Sequence, residues 1–332
     1  MVFSGKKCTF AIDLIICELI KQVRKMKKYI AFVLGLVLGL GFVSCSGDDD
    51  DEKQNTNGNG KIIAERTVTR YNWVSGRRSK QGEIYLVSKY NKKGQIVSTE
   101  YQSEGRKYEY IFDDEGKRIE CNVVDRKSSY KYKFEYNSMG RESVEYKYNQ
   151  KGELIETIKL EYDSNGNESV RCRYDSKDEL VETVKSEYDD KRRLVKETTI
   201  YGPSGSTNGR VWAYIYGENT ETRTFTNLKD GSLVWQDVNE KDSHHNTIKS
   251  IRTLANGDKI LIEYTYEYDS KGRQSKIVGP IVSAEEGVNT SGLAHTKYWE
   301  RSFNDDGLVQ KEHIAVPADN VEYDLEYTYT YY

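Results

Sequence analysis

One short signature recurs along most of the chain: an aromatic residue, then Asn or Asp, two polar residues, and Gly. Tyr90-Asn-Lys-Lys-Gly94, Phe112-Asp-Asp-Glu-Gly116, Tyr136-Asn-Ser-Met-Gly140 and Tyr148-Asn-Gln-Lys-Gly152 are four copies. Tyr162-Asp-Ser-Asn-Gly166, Tyr268-Asp-Ser-Lys-Gly272 and Phe303-Asn-Asp-Asp-Gly307 are three more, and the copies at Tyr101, Tyr174 and Tyr188 are degenerate. From Tyr90 to Tyr188 the anchors are 11, 11, 24, 12, 14, 12 and 14 residues apart, and Asp125–Ser129 supplies a turn inside the one long gap. The Asn or Asp side chain accepts hydrogen bonds from backbone N–H groups ahead of it, and the Gly takes the positive φ that closes a type I turn with a bulge. Turns at this spacing leave room for strands of about 7–9 residues and little room for helices.

The segments between turns alternate as half-buried strands do. Tyr130, Tyr132, Phe134 and Tyr136 oppose Lys131, Lys133 and Glu135. Val144, Tyr146 and Tyr148 oppose Glu145 and Lys147, so these too are expected on the aromatic face. The same pattern holds for Leu154, Ile158, Leu160 and Tyr162, with Glu156 as an exception, for Tyr264, Tyr266 and Tyr268, and for Tyr323 to Tyr331. With the softer turns included, the sequence predicts an all-β, extended antiparallel meander of about twenty strands over 61–332. Such a meander must coil, close or fold into two layers to hide its aromatic face.

Residues 1–44 differ from the rest. They hold seven Lys+Arg and two acidic residues, which leaves 43 Lys+Arg and 51 Asp+Glu for the remaining chain. That balance argues against a sequence-independent nucleic-acid binder. Met26-Lys27-Lys28 followed by the apolar run Tyr29–Val43 reads as a signal peptide, with Met26 as the expected start. Phe42-Val-Ser-Cys45 resembles a bacterial lipobox, whose cysteine is acylated and becomes the mature N-terminus. Ser46-Gly47-Asp48-Asp49-Asp50-Asp51 resembles the acidic export tag of surface lipoproteins, and 45–60 as a whole reads as an anchor and flexible tether. These resemblances imply a cell-outer-membrane, lipid-anchored protein facing the exterior. Cys121 and Cys172 remain, as a possible disulfide or as two small hydrophobes.

The unit Tyr264-Thr-Tyr-Glu-Tyr-Asp-Ser-Lys-Gly-Arg273, with Tyr136-Asn-Ser-Met-Gly-Arg141, resembles the tyrosine-aspartate repeat of the Rhs family of bacterial surface and toxin-shell proteins. The resemblance implies β-hairpins strung into a spiralling shell. No GxSxG, P-loop, HExxH or dinucleotide fingerprint occurs, and no cofactor or metal is expected. Adjacent His244 and His245 on an extended chain would point apart. Exposed aromatics offer stacking surfaces for sugars, so Trp73, Trp212, Trp235, Tyr298 and Trp299 are the candidate ligand-binding residues, although packing of the tryptophans into the tyrosine face is the simpler reading, since Trp212 alternates with Tyr214 and Tyr216. The irregular stretch 276–297 with Tyr298 and Trp299 is the expected binding edge. Together these features predict a non-enzymatic module for a glycan or protein ligand. A structural shell component of an Rhs-like system, or a hydrolase hidden among the carboxylates, are the alternatives.

Overall fold

The computed structural model describes residues 60–332 except 289, 291 and 292. The leader 1–44, Cys45 and the acidic tag lie outside the described residues. The strands are β1 (Ile63–Val74), β2 (Arg77–Arg78), β3 (Glu83–Tyr90), β4 (Ile96–Tyr101), β5 (Arg106–Phe112), β6 (Arg118–Val124) and β7 (Ser129–Tyr136). Then follow β8 (Glu142–Asn149), β9 (Leu154–Tyr162), β10 (Glu168–Asp175), β11 (Leu180–Tyr188), β12 (Leu194–Tyr201), β13 (Gly209–Tyr216) and β14 (Thr220–Asn227). The last are β15 (Leu233–Lys241), β16 (Thr247–Leu254), β17 (Lys259–Tyr268), β18 (Gln274–Ala284), β19 (Lys297–Phe303), β20 (Val309–Val316) and β21 (Val321–Tyr331).

From β3 onward each strand pairs antiparallel with the next, and β1 pairs on one side with β3 and on the other with β21. The meander therefore closes on itself as a 20-strand barrel, with β2 as a short arm folded onto the end of β1. Closure resolves the choice among coiling, closing and layering, and it removes both exposed sheet edges. The seam is long: Ile63 to Asn72 align with Tyr331 back to Tyr323, and the Tyr332 amide bonds the Ile62 carbonyl at 3.1 Å.

The turns follow the chemistry of the signature. At Asp163 the carboxylate accepts the backbone N–H of Asn165 and Asn167, both at 2.9 Å, and Gly166 stands at φ +88°. Asn91, Asn137, Asn149, Asp175, Asp189, Asp242 and Asp269 accept the same pair of N–H bonds. The copies at Tyr174 and Tyr188 and the turn at Asp242 hold the left-handed conformation without glycine, at Asp178 (φ 61°), Arg192 (φ 60°) and His245 (φ 62°).

The wall has two unlike faces. On one, Lys131, Lys133, Glu135, Lys159, Glu161, Lys185, Glu187, Glu267 and Glu300 stand exposed along the strands. On the other, rings and aliphatic side chains are half-buried or buried, and they meet over two strands, as Trp212 on β13 meets Trp235 on β15 at 5.1 Å. The second face is the concave, inner one. Val68, Leu86, Trp299, Ile314 and Leu325 form a buried cluster on it beside the seam, flanked by Tyr85, Tyr101, Tyr323 and Tyr327.

A second set of bonds ties the inner tyrosines to the turns of one rim. The hydroxyl at the end of one strand donates to the first carbonyl of the strand before it: Tyr136 to Arg118 (2.7 Å), Tyr162 to Glu142 (2.6 Å) and Tyr188 to Glu168 (3.0 Å). Tyr216 to Leu194 (2.8 Å), Tyr266 to Thr247 (3.1 Å) and Tyr329 to Val309 (2.7 Å) continue the series. Phenol at these positions is both ring and staple.

Strand β8 departs from expectation. Its alternation is as read, but Val144, Tyr146 and Tyr148 lie on the outer face, opposite Glu135, Lys133 and Lys131, while Glu145 and Lys147 face inward. Cation–aromatic contact compensates the inversion, because the Lys147 ammonium lies 4.9 Å from the Tyr130 ring centre and 5.5 Å from that of Tyr132. Cys121 is on the inner face and Cys172 on the outer, so the wall separates them and no disulfide joins the two.

Candidate functional site

Three residue rows cross the inner wall between β13 and β16, each in direct cross-strand register. The first is aromatic: Trp212 opposite Phe225, and Phe225 opposite Trp235. Trp212 stacks on Phe225 with ring centres 4.6 Å apart, and Trp235 meets Trp212 edge-on. These rings are half-buried, so part of each surface stays accessible. The second row is Tyr214, Arg223, Asp237 and Arg252, and the third is Tyr216, Glu221, Asn239 and Ser250.

The polar rows are tightly held. Arg252 grips Asp237 with two bonds, Nε to Oδ1 at 2.7 Å and an Nη to Oδ2 at 2.8 Å, and its guanidinium sits 4.2 Å from the Trp235 ring centre. Bidentate pairing fixes the plane of the guanidinium as well as its position. Glu221 is buried and shared by Arg223, Lys241 (3.3 Å) and Asn239 (3.4 Å), and the two cations, Arg223 and Lys241, hold its carboxyl below the usual range despite its burial. A stacking surface beside fixed donors and acceptors is an arrangement suited to polyhydroxylated ligands with an apolar ring face.

A second inner region, on β6 to β12, is charged. Arg118 faces Glu142 at 3.6 Å, Arg171 binds Glu168 at 2.9 Å, and Arg173 lies 3.5 Å from both Glu156 and Glu182. Burial pushes the Glu142 carboxyl up to about 7, against the opposing pull of Arg118. Burial raises Glu145 and Glu197 in the same direction.

The candidate aromatics do not converge. Trp212, Trp235 and Trp299 are on the inner face, but Trp299 is 7% exposed within the buried cluster by the seam. Trp73 is on the outer face, where its Nε1 donates to Asp324 at 3.2 Å and its ring meets His313. Tyr298 also faces out and is 44% exposed. The expected binding edge at Tyr298 and Trp299 is therefore not formed, because consecutive residues of β19 point through opposite faces of the wall. His244 stacks on Tyr268, whose hydroxyl donates to Asp242 at 2.7 Å. The polar residues Asp237, Asn239 and Arg252 had a sequence signal. Asp237 and Asn239 lie two and four positions beyond Trp235 and so share its face.

Neither a protein-family model nor a curated protein sequence matches the chain. Among solved structures it is similar to a porin-like protein from Bacteroides uniformis, with 9% identity and a TM-score of 0.36 over 81% of this chain and 96% of that one. A porin-like protein from Bacteroides vulgatus aligns at 8% identity and a TM-score of 0.28, over 81% of this chain and 99% of that one. TcdB2-TccC3 aligns at 13% identity and a TM-score of 0.26 over 78% of this chain, which spans 15% of that chain.

Proposed function

We propose that the protein is a lipid-anchored, surface-exposed lipoprotein whose barrel stands in water and binds a glycan on its inner wall without chemical turnover. The observation that carries this reading is the Trp212–Phe225–Trp235 row lying beside the Arg252–Asp237 pair. The outer face speaks against burial of the barrel in lipid. A membrane-spanning barrel needs an outward apolar band about 25 Å tall, whereas β7 carries Lys131, Lys133 and Glu135 outward, and β9 and β11 carry Lys159, Glu161, Lys185 and Glu187 outward over their second halves. Attachment through acylated Cys45 and the tether up to Gly60 would keep such a barrel at the outer membrane and outside its hydrocarbon layer.

The test is a glycan array on the full mature protein with pull-down from whole cells. Trp212→Ala and Trp235→Ala should each weaken any hit about fivefold or more, since one stacking contact with a sugar ring is worth on the order of 1 kcal/mol. A protein that folds yet binds no glycan, or binds equally well in both variants, would count against the reading. Glu142 and Glu145, two inward carboxyls raised by burial, favour hydrolysis as a second reading. Release of reducing ends from a bound oligosaccharide, abolished in Glu142→Gln, would establish it instead.

A further inference from the structure

The aromatic row does not end at Trp212. On the next strand, β12, Glu197 stands in direct register with it, and beyond Glu197 comes Ser186 of β11. One line across the inner wall therefore runs hydroxyl, carboxylate, indole, phenyl and indole, from β11 to β15.

Rings of this wall commonly carry a cation of their own. Arg252 lies 4.2 Å from the Trp235 ring centre, Arg301 4.4 Å from that of Trp299 and Arg118 4.2 Å from that of Phe134. Among the described residues, Trp212 is the inner tryptophan with no Arg or Lys over its ring. Phe225 covers one face of its indole at 4.6 Å, about one interstrand spacing. The other face is thus turned toward β12, where Glu197 stands.

Glu197 is half-buried, and among the described residues its carboxylate makes no hydrogen bond and no ion pair. Arg171, the cation whose field reaches it, is held by Glu168 at 2.9 and 3.0 Å. Burial raises the Glu197 carboxyl, Arg171 opposes the rise, and Glu168 and Glu182 add to it. The carboxylate also acts on β13. After burial, its charge is the largest cause raising the phenol of Tyr214, two positions beyond Trp212. An unpaired carboxylate beside an open indole face offers counter-charge and a π surface to one group, and the group that satisfies both is a cation.

We propose that the open face of Trp212 and the Glu197 carboxylate together hold the ammonium group of a deacetylated amino sugar, whose neighbouring units follow the row toward Trp235. The proposal rests on the glycan-binding reading and names the ligand class within it. Arg210 limits the affinity by repulsion. Its guanidinium lies on the adjacent row, 5.2 Å from the Tyr201 ring centre and 5.9 Å from that of Phe225.

Calorimetry on the full mature protein, in mildly acidic buffer, would compare the glucosamine tetramer with its fully N-acetylated form, which keeps the sugar chain and removes the charge. The amine should bind at least tenfold more tightly, with an advantage that shrinks as salt rises. Glu197→Gln should remove roughly tenfold to a hundredfold of the amine's affinity, the usual effect of losing a charge-assisted bond. It should leave the acetylated form unchanged, which shows that the fold is kept. Trp212→Ala should weaken both forms, the amine more, and Arg210→Gln should tighten the amine. The outer-wall variant Glu187→Gln should change nothing, which separates the site from general attraction to an acidic protein.

Equal affinity for the two forms, or an amine advantage that survives Glu197→Gln, overturns the proposal. Binding of uncharged oligosaccharides that depends on Trp212, with no gain from charge, overturns it and leaves the glycan reading standing. A parallel arm titrates tetralysine. Tetralysine binding lost in Glu197→Gln, with neither oligosaccharide bound, overturns the amino-sugar assignment and sinks the glycan reading with it.

Discussion

At the scale of single residues, the turn signature separates what each position must do. Asn or Asp is needed for its side-chain oxygen, and Gly for its backbone. Where Gly is replaced the conformation persists, as at Arg192, so the other turn bonds override the steric cost. A left-handed residue other than glycine costs on the order of 1 kcal/mol. Arg192→Gly should therefore raise stability by about 0.5–1 kcal/mol, read as a shift in the denaturant midpoint with unchanged slope. The control Gly152→Ala, at a copy with φ +80° and open space around the missing Cβ, should lower it by a similar amount.

At the scale of elements, six tyrosine hydroxyls join hairpins of one rim to their predecessors. Tyr162→Phe keeps the ring and deletes the 2.6 Å bond to the Glu142 carbonyl. Its expected cost is about 1 kcal/mol, with faster amide exchange concentrated at the start of β8 and the end of β9. The strands themselves were legible in the sequence because turns fix their ends and period two fixes their faces. Which face turns inward was legible only where rings and charges separate cleanly, as in β7, β17 and β21. In β8 they separate as cleanly, with Val144, Tyr146 and Tyr148 opposite Glu145 and Lys147, yet the ring face turns outward, so there the decision rests with neighbours. Lys147 finds the rings of β7, and Glu145 finds the field of Arg118 and Arg171, neither of which adjoins it in sequence. The candidate site was partly legible for the same reason. Trp212, Trp235 and Trp299 share the inner face with the tyrosines, whereas Trp73 and Tyr298 face outward, so Tyr298 and Trp299, adjacent in sequence, are parted by the wall.

At the scale of the whole molecule, closure is the feature that periodicity leaves open, since a meander pattern is the same in an open sheet and a barrel. What marks the seam is a pair of chain ends that match. Outside the seam, Asp324 is 1% exposed and receives Trp73 Nε1, His313 Nδ1 at 2.8 Å, Arg78 at 2.7 Å and Lys311 at 3.1 Å. Arg78 also binds Glu326 and lies 3.7 Å from the Tyr71 ring centre, so the β2 arm is clamped across β1 and β21. Asp324→Asn leaves these cations around a neutral amide. It should cost roughly 3 kcal/mol, and limited proteolysis should then cut first near the β2 arm.

The barrel's response to pH follows from the same division into rim and wall. The turn carboxylates at Asp125, Asp163, Asp175, Asp189, Asp242 and Asp269 all titrate below their ordinary value, with backbone N–H bonds among the causes throughout. Their contribution is present above the unfolded value of 3.8 and is lost as pH falls through the depressed folded values. The inner wall behaves in the opposite sense. Glu142 is raised from 4.5 to about 7 by burial, so the folded state binds its proton more tightly than the unfolded chain does. That contribution is full below 4.5 and is lost as pH rises through about 7. Stability should therefore peak in mildly acidic solution and decline on both sides. Glu142→Gln should flatten the alkaline side alone: nearly neutral at pH 4.5, and more stable than the parent by about 1–2 kcal/mol at pH 8 after allowance for solvent screening. Urea titrations of both proteins across this range decide the matter, and an alkaline decline unchanged by the substitution would place the titrating group elsewhere on the wall, with Glu145 and Glu197 as the next carboxyls to remove.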